Sequence, residues 1–207
     1  METCGTKRLD AMMKRTLVLV ALAATFALAP AVRAELHQLV LEGQLSSAGG
    51  ARGVSLHVLC NPDTDGGAIS VELWVPQAFK LKDFDYDDFE GPDAAAGDRA
   101  LSRVSVAGEG GKTEITSAAA GWYSGEDPDT FVFGLSQLSH QQGKIATLLR
   151  AVDPKRTQLV WVQAGFNDPK RELRATFTLD PSTVTRLHDT VGVCLAPAAR
   201  SKSTVKK

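Results

Sequence analysis

The sequence predicts a mainly β protein, with antiparallel strands packed as a β-sandwich or a partly closed barrel, two short helices and one disulfide. Period-two alternation of apolar residues dominates the chain from Glu35 onward, and helical spacing appears in only two short stretches. Strand and helix patterns do not alternate over most of the chain, which argues against a parallel βαβ sheet. Two distant cysteines, Cys60 and Cys194, are available for one bond.

The N-terminus has the pattern of a secretory signal peptide. Basic Lys14 and Arg15 precede an apolar run from Leu17 to Ala29, and small residues lead to a cleavage site after Ala34. This order is typical of export signals, so residues 1–34 are predicted to be removed. A membrane span needs about 20 apolar residues, so no stable membrane insertion is expected after cleavage.

The same N-terminal segment also predicts the start of translation and the compartment of the protein. Met13 is the more natural start, which would make residues 1–12 a mis-called extension; the alternative is one long basic leader. In both cases Cys4 leaves with the signal, and only Cys60 and Cys194 remain. In an oxidising compartment two cysteines predict one disulfide, so the predicted localisation is periplasmic or secreted.

Composition places the chain among ordinary globular proteins. The sequence is 43% hydrophobic and 23% charged, with a formal net charge of −1. These values argue against a disordered or collagen-like chain, and the absence of a basic stripe argues against a nucleic-acid partner. Residues 35–195 are predicted to form a single β-rich domain, followed by a disordered basic tail over residues 196–207.

Strand patterns fill the first half of the exported chain. Leu39 and Leu41 open a first strand, and the Ser/Gly/Ala-rich stretch Gly43–Arg52 is predicted to be a loop. Val54–Cys60 alternates strictly and predicts a strand with one face in the core. Ile69–Val75 alternates in the same way after a turn-rich segment, so these two strands are predicted to form a hairpin.

The middle of the chain is more irregular. Arg99–Val106 predicts another strand, and Lys112–Ser117 predicts a short strand at a sheet edge, where its charges suit an unpaired rim. Gly121–Pro128 is predicted to be a turn-rich bend, and Phe131, Phe133 and their neighbours alternate as a strand.

The C-terminal part contains both predicted helices. Gln142–Val152 has apolar residues at helical spacing, and residues 181–191 follow Asp180 as N-cap and stop before a glycine. Between the helices, Thr157–Ala164 is apolar on both faces, as expected of a covered central strand. Glu172–Leu179 alternates cleanly and predicts a half-buried strand.

An acidic run, Asp83–Glu90, interleaves Asp83, Asp85 and Asp87 with aromatic residues. One interpretation is a Ca²⁺ site, because Ca²⁺ takes several carboxylate and carbonyl oxygens. The run, however, has Asp88 where a calcium loop needs glycine, and it lacks the glutamate at the twelfth position. The favoured interpretation is a solvated edge with inward aromatic rings, which also blocks strand-to-strand aggregation. No metal site and no cofactor are therefore predicted.

His57 and His188 lie near the two cysteines in the sequence, so a disulfide would bring their segments together. With a carboxylate such as Asp189 they would form the acid–base pair of a small secreted hydrolase. No nucleophile completes a triad, and no phosphate loop, dinucleotide fingerprint or zinc motif is present. Ordinary surface histidines are the simpler interpretation, and the sequence leans away from an enzyme.

Three aromatic residues, Trp74, Trp122 and Tyr123, are candidate contacts with a partner, because exposed Trp and Tyr anchor interfaces. Packing between sheet and helix is the competing explanation. The leading hypothesis is an exported, non-enzymatic β-domain that binds a macromolecule, either a protein or a glycan, in the periplasm or outside the cell. The alternatives are the hydrolase and a Ca²⁺-binding domain. No oligomeric state is predicted.

Overall fold

The computed structural model describes residues 36–62, 67–138 and 143–195. The predicted signal peptide (residues 1–34) and the predicted basic tail (residues 196–207) lie outside these ranges, so both stay predictions. None of the helices within the described ranges is long and apolar enough to cross a membrane.

Nine strands and two α-helices occur in the described residues. The strands are β1 (His37–Ser47), β2 (Gly50–Asn61), β3 (Ala68–Val75), β4 (Ser102–Gly108), β5 (Gly111–Ser117), β6 (Ala120–Tyr123), β7 (Phe131–Leu138), β8 (Gln158–Ala164) and β9 (Glu172–Thr178). The helices are α1 (Lys144–Arg150) and α2 (Pro181–Leu195). Two short 3-10 helices, Ala78–Lys80 and Asp87–Phe89, lie between β3 and β4.

The described strands join one antiparallel sheet in the order β5-β4-β8-β9-β1-β2-β3-β7-β6. The sheet curls into a half-barrel, with β5 and β6 at its edges. The prediction of a mainly β, antiparallel fold with two helices is confirmed, and so is the edge position of Lys112–Ser117. A two-sheet sandwich is not confirmed, because all the described strands belong to a single sheet.

The core lies on the concave side of the sheet. Alternate residues of each strand point there, which in β2 are Val54, Leu56, Val58 and Cys60. Helix α2 packs its apolar stripe on β1 and β2, and α1 covers β3, β4, β5 and β7. The opposite alternate residues of the strands therefore form the outer surface of the sheet.

The predicted disulfide between Cys60 and Cys194 is present. The two sulfurs are 2.07 Å apart and the Cα atoms 5.9 Å apart, so the bond ties the end of β2 to the last turn of α2. Its partners are separated by 134 residues in the sequence. The bond therefore fixes the helix on the sheet from which most of the core projects.

The predicted loop over Gly43–Arg52 is wrong, because β1 and β2 continue through it and turn only between Ser47 and Gly50. The aromatic ring of Phe177 lies over Gly43, where a Cβ atom would be 2.3 Å from Cδ1 of that ring. Glycine is needed at this strand position for close packing. Gly50 has a φ of 119°, so it supplies the turn itself.

The predicted bend over Gly121–Pro128 is wrong at its beginning. Ala120–Tyr123 forms β6, which pairs with β7, and the bend starts at Ser124, whose amide donates to the Thr130 carbonyl oxygen at 2.9 Å. A four-residue strand that begins with Ala-Gly carries too short an alternation to be recognised from sequence.

Helix α2 begins as predicted and ends later than predicted. Asp180 Oδ1 accepts a hydrogen bond of 2.7 Å from the Thr183 amide, which confirms the N-cap. The predicted end at residue 191 is wrong, because the helix passes through Gly192 and reaches Leu195. No neighbouring atom lies within 4 Å of a Cβ placed at Gly192, so that glycine occupies an open surface position. The disulfide at Cys194 holds the last turn in place.

Candidate functional site

Trp74 and Trp122 project from the outer side of the sheet, opposite to the core. Val132 of β7 is the register partner of both residues. Val132 is fully buried although it lies outside the core cluster, so the two indole rings cover it from outside. Because neighbouring strands lie about 4.8 Å apart, β3 and β6 are about 10 Å apart. Tyr123 does not join this pair, since it turns inward and packs against Phe131 with ring centroids 4.9 Å apart.

Trp74 is held in place by its neighbours on the outer surface. The His57 imidazole stacks on the indole, with ring centroids 4.5 Å apart and an interplanar angle of 14°. The indole Nε1 donates a hydrogen bond of 3.1 Å to Glu72 Oε2. A ring fixed by both contacts loses little conformational entropy on binding, which is the property of an anchor in a recognition surface.

Partial burial pushes both titratable neighbours of Trp74 toward their neutral forms. Burial lowers the pKa of His57 below its ordinary value, and the Glu42 carboxylate partly opposes this shift. Burial raises the pKa of Glu72, and the hydrogen bond from Trp74 partly opposes it. The surroundings of the indole therefore disfavour charge of either sign.

Trp122 lies across Gly134 of β7. A Cβ atom at Gly134 would be 2.6 Å from Cη2 and 2.8 Å from Cζ3 of the indole, so only glycine leaves room for the ring. Glycine inside a strand marks such a close approach. Trp122 remains 36% exposed, so part of its indole is open to solvent.

The outer surface that carries the two tryptophans is nearly uncharged. We call it the five-strand face, and it comprises the outward residues of β1, β2, β3, β7 and β6. Its members are Gln38, Val40, Glu42, Gln44, Ser46, Ala51, Gly53, Ser55, His57, Leu59, Asn61, Ala68, Ser70, Glu72, Trp74, Val132, Gly134, Ser136, Leu138, Ala120 and Trp122. Only Glu42 and Glu72 carry a formal charge, and these described strands contribute no lysine or arginine to the face. Depletion of charge around aromatic residues is typical of the centre of an interface.

The outer surface of β5, β4, β8 and β9, the four-strand face, has the opposite character. Its charged residues are Lys112, Glu114, Arg103, Glu172 and Arg174. Lys112 Nζ lies 2.5 Å from Glu114 Oε2, and Arg103 Nη2 lies 3.4 Å from Glu172 Oε2. Exposed pairs of this kind contribute little to stability, but charge on a sheet surface and its edge keeps it solvated and unpaired.

Two shallow depressions lie on or beside the five-strand face. The first has a volume of about 320 Å³ and is lined by residues of β1, β2 and β9: Glu42, Gly43, Gln44, Gly53, Thr176 and Thr178. The second has a volume of about 330 Å³ and is lined by Phe89, Gly91, Pro92, Ala94, Gly97, Asp98, Ala118, Ala119, Ala120, Gly134 and Ser136. It adjoins the Trp122 indole at Gly134. Polar side chains and glycine line the first depression, whereas alanine, glycine and other apolar residues line most of the second.

The acidic run Asp83–Glu90 belongs to a segment that lies over the concave side of the sheet, which we call the strap (residues 78–91). Its Phe84 and Phe89 rings pack against Phe133, with ring centroids 6.0 and 5.4 Å apart. Tyr86 packs against Phe131 at 5.0 Å. The aromatic residues of the strap therefore turn inward and complete the core.

Carboxylates of the strap fasten it to neighbouring segments. The Tyr123 hydroxyl donates to Asp87 Oδ1 at 3.3 Å, and Asn167 Nδ2 donates to Asp88 Oδ2 at 2.9 Å. Slight burial and the nearby carboxylates of Asp85 and Asp87 raise the pKa of Asp88. Among the residues that the structure describes, no group of three or more His, Cys, Asp or Glu side chains is arranged to hold a metal ion. The expectation that Ca²⁺ does not bind here stays a prediction.

Asp83 belongs to a buried polar cluster at the start of the strap. Its Oδ2 accepts a hydrogen bond of 2.9 Å from the Gly49 amide in the β1–β2 turn. Its Oδ1, together with Arg52 Nε and the Tyr86 hydroxyl, is buried without a hydrogen-bond partner among the described groups. Burial raises the pKa of Tyr86, and nearby Arg52 lowers it. Unpaired buried polar atoms cost stability, so this junction is a weak point of the strap.

The structure does not bring His57 and His188 together, because they lie on opposite sides of the sheet. His188 Nε2 donates to the Val152 carbonyl oxygen at 2.8 Å. His57 lies between Gln38 Nε2, 3.2 Å from its Nδ1, and Ser55 Oγ, 3.1 Å from its Nε2. The sequence interpretation missed this serine. With the Gln38 amide nitrogen donating to Nδ1, the imidazole would hold its proton on Nε2 and donate it to Ser55 Oγ.

Comparison of the chain with protein-family models, with curated proteins and with solved structures found no match.

Proposed function

We propose that the protein is an exported, non-enzymatic binding module that contacts a macromolecular partner through the five-strand face. One observation carries the proposal: two fixed tryptophans stand on an outer sheet surface that has no cation in its described strands. An outer surface that meets only water has no need for tryptophan, and the four-strand face of the same sheet is charged.

The arrangement of the fold supports an open contact surface. The helices and the strap fill the concave side, so within the described residues the curled sheet forms a half-barrel whose convex side carries no helix. The signal-peptide pattern supports export, and the Cys60–Cys194 bond is compatible with an oxidising compartment.

Site-specific photo-cross-linking in the exporting cell tests the proposal. A photoreactive side chain at Ser70, on the five-strand face, is expected to give a covalent adduct. The same group at Thr116, on the four-strand face, is the matched control and should give none. The Ser70 adduct should disappear when Trp122→Ala is added. Equal labelling at both positions, or no adduct at Ser70, would contradict the proposal.

A further inference from the structure

We infer that the partner of the five-strand face is a neutral glycan, an extended chain of uncharged sugar rings that crosses the strands over Trp74 and Trp122. This inference rests on the proposed function and names the chemical class of the partner for the same face.

The charges on the face exclude strongly charged partners. Glu42 and Glu72 are its only formal charges, and Glu72 is already engaged by the Trp74 indole. An anionic polymer would bring negative charge beside these carboxylates, and the described strands of the face place no cation among them; Arg174 lies on β9 at the border of the face, beside Ser46. A cationic partner would find only two carboxylates for its many charges. A neutral partner avoids both costs.

The remaining groups of the face suit sugars. The indoles of Trp74 and Trp122 offer flat apolar surfaces to the C–H side of a sugar ring. The face also carries amides and hydroxyls that both donate and accept hydrogen bonds, as sugar hydroxyls require: Ser55 is the register partner of Trp74, and Gln38, Gln44, Ser70 and Ser136 lie farther along the strands. A protein partner would insert anchor residues into deep apolar pockets, whereas the first depression here is lined by polar side chains and glycine, and the second mainly by alanine and glycine.

The strands that carry the tryptophans are spaced like the units of an extended sugar chain. These strands, β3 and β6, lie about 10 Å apart, which is about the length of a disaccharide in an extended glycan. Glu42, Ser55, Trp74, Val132 and Trp122 are successive register partners, so they form one row across the strands. Glu42 is the β1 member of this row and also lines the first depression. One chain would therefore stack on both indoles and continue toward the depression.

Titration calorimetry of the exported protein tests the inference. The probes are cellohexaose, chitohexaose and maltohexaose, with polygalacturonate as the anionic comparison. At least one neutral hexasaccharide is expected to bind, and Trp74→Ala and Trp122→Ala should each weaken its binding about tenfold or more. Trp122→Phe keeps an aromatic ring and should retain part of the affinity. Phe79→Ala removes an aromatic side chain that is 55% exposed but outside the face, and should change nothing.

Several outcomes would overturn the inference: no neutral hexasaccharide binds, polygalacturonate alone binds, or binding survives in both tryptophan-to-alanine variants. The cross-linking experiment separates this failure from failure of the proposed function. A protein adduct at Ser70 without glycan binding would contradict the glycan inference but would still support the proposed binding module. If neither the adduct nor glycan binding is observed, the glycan inference and the proposed function are both contradicted.

Discussion

The outer surface of the sheet is divided into two regions that share one core and differ in chemistry. The four-strand face carries ion pairs such as Arg103–Glu172, whereas the five-strand face carries Trp74 and Trp122 in a nearly uncharged surround. Both regions have the same inward alternation of apolar residues. Folding therefore requires the same apolar core from both regions, and we propose that the difference between their outer surfaces reflects a contact with water on the four-strand face and with a partner on the five-strand face.

The two regions also differ in the contacts that stabilise them. The five-strand region is crossed by the strap, and its β2 is bonded to α2 through Cys60 and Cys194. The four-strand region depends on its ladders, on helix α1, which packs on β4 and β5, and on a buried pair in which the Ser102 hydroxyl donates to Gln163 Oε1 at 2.6 Å. Substitutions that remove one of these stabilising contacts at a time test the comparison between the two regions.

Removal of the disulfide is expected to have the largest effect. Because Cys60 and Cys194 enclose 134 residues, the chain-entropy model gives a loss of about 5 kcal/mol in the free energy of unfolding. Cys60→Ala and Cys194→Ala should lower it by similar amounts in urea titrations. Hydrogen exchange should then accelerate more in β1, β2 and β3 than in β4, β5 and β8. Equal acceleration in both regions would show that the bond does not act locally.

A pair of glycine substitutions tests the packing of Trp122. Gly134→Ala should cost about 1–3 kcal/mol, because the added methyl group meets the indole ring. Gly53→Ala is the matched control on the same face: no atom lies within 4 Å of its Cβ position, so the change should stay within about 0.5 kcal/mol. Thermal unfolding and tryptophan fluorescence would measure both. Equal costs for the two changes would place the indole away from Gly134.

The buried polar groups should respond in opposite ways in the two regions. Ser102→Ala leaves the Gln163 amide without its closest donor and should cost about 1–3 kcal/mol. Tyr86→Phe removes a hydroxyl that has no partner among the described groups, so stability should stay constant or rise by up to about 1 kcal/mol. Urea titrations measure both. A loss above about 1 kcal/mol in Tyr86→Phe would reveal a hydrogen bond to that hydroxyl.

The smallest expected effect is a pH dependence from His57. Its pKa in the folded state is below the ordinary value of 6.5, so the unfolded state takes up its proton first as the pH falls. This contribution to stability is complete above pH 6.5 and is lost as the pH falls through the folded pKa. His57→Gln should therefore lose less melting temperature between pH 7.5 and 5.5 than the native protein. An unchanged slope would mean that His57 titrates normally.

Local patterns predicted the elements that are determined by their own residues. Strict alternation gave β2, β3 and β9, and counting cysteines in an exported chain gave the disulfide. The wrong predictions concern segments whose conformation depends on a residue that is distant in the sequence. Gly43 is read as a loop residue until Phe177 is known to lie over it. The brief alternation in β6 becomes a strand only through its pairing with β7.

The candidate site could likewise be predicted only in part from local sequence patterns. Trp74 and Trp122 were identified one by one, Trp74 because it alternates opposite the apolar row of its strand and Trp122 because it lies in a predicted turn. Their relation could not be predicted, since it depends on the strand order β3-β7-β6, in which β7 lies between two strands that the strap, β4 and β5 separate in sequence. Gly134, a glycine inside an alternating strand, is the one local signal that marks the place where the indole lies.

The central claim, that the five-strand face is covered by a partner, is tested most directly by oxidative footprinting of the exported protein in its cell and after purification. Trp161 is fully buried and should resist oxidation in both samples, which verifies the fold. Phe166, in the β8–β9 turn, should be oxidised equally in both. We expect Trp74 and Trp122 to be protected several-fold in the cell and to become reactive after purification. Equal oxidation of the two tryptophans in both samples would contradict the claim.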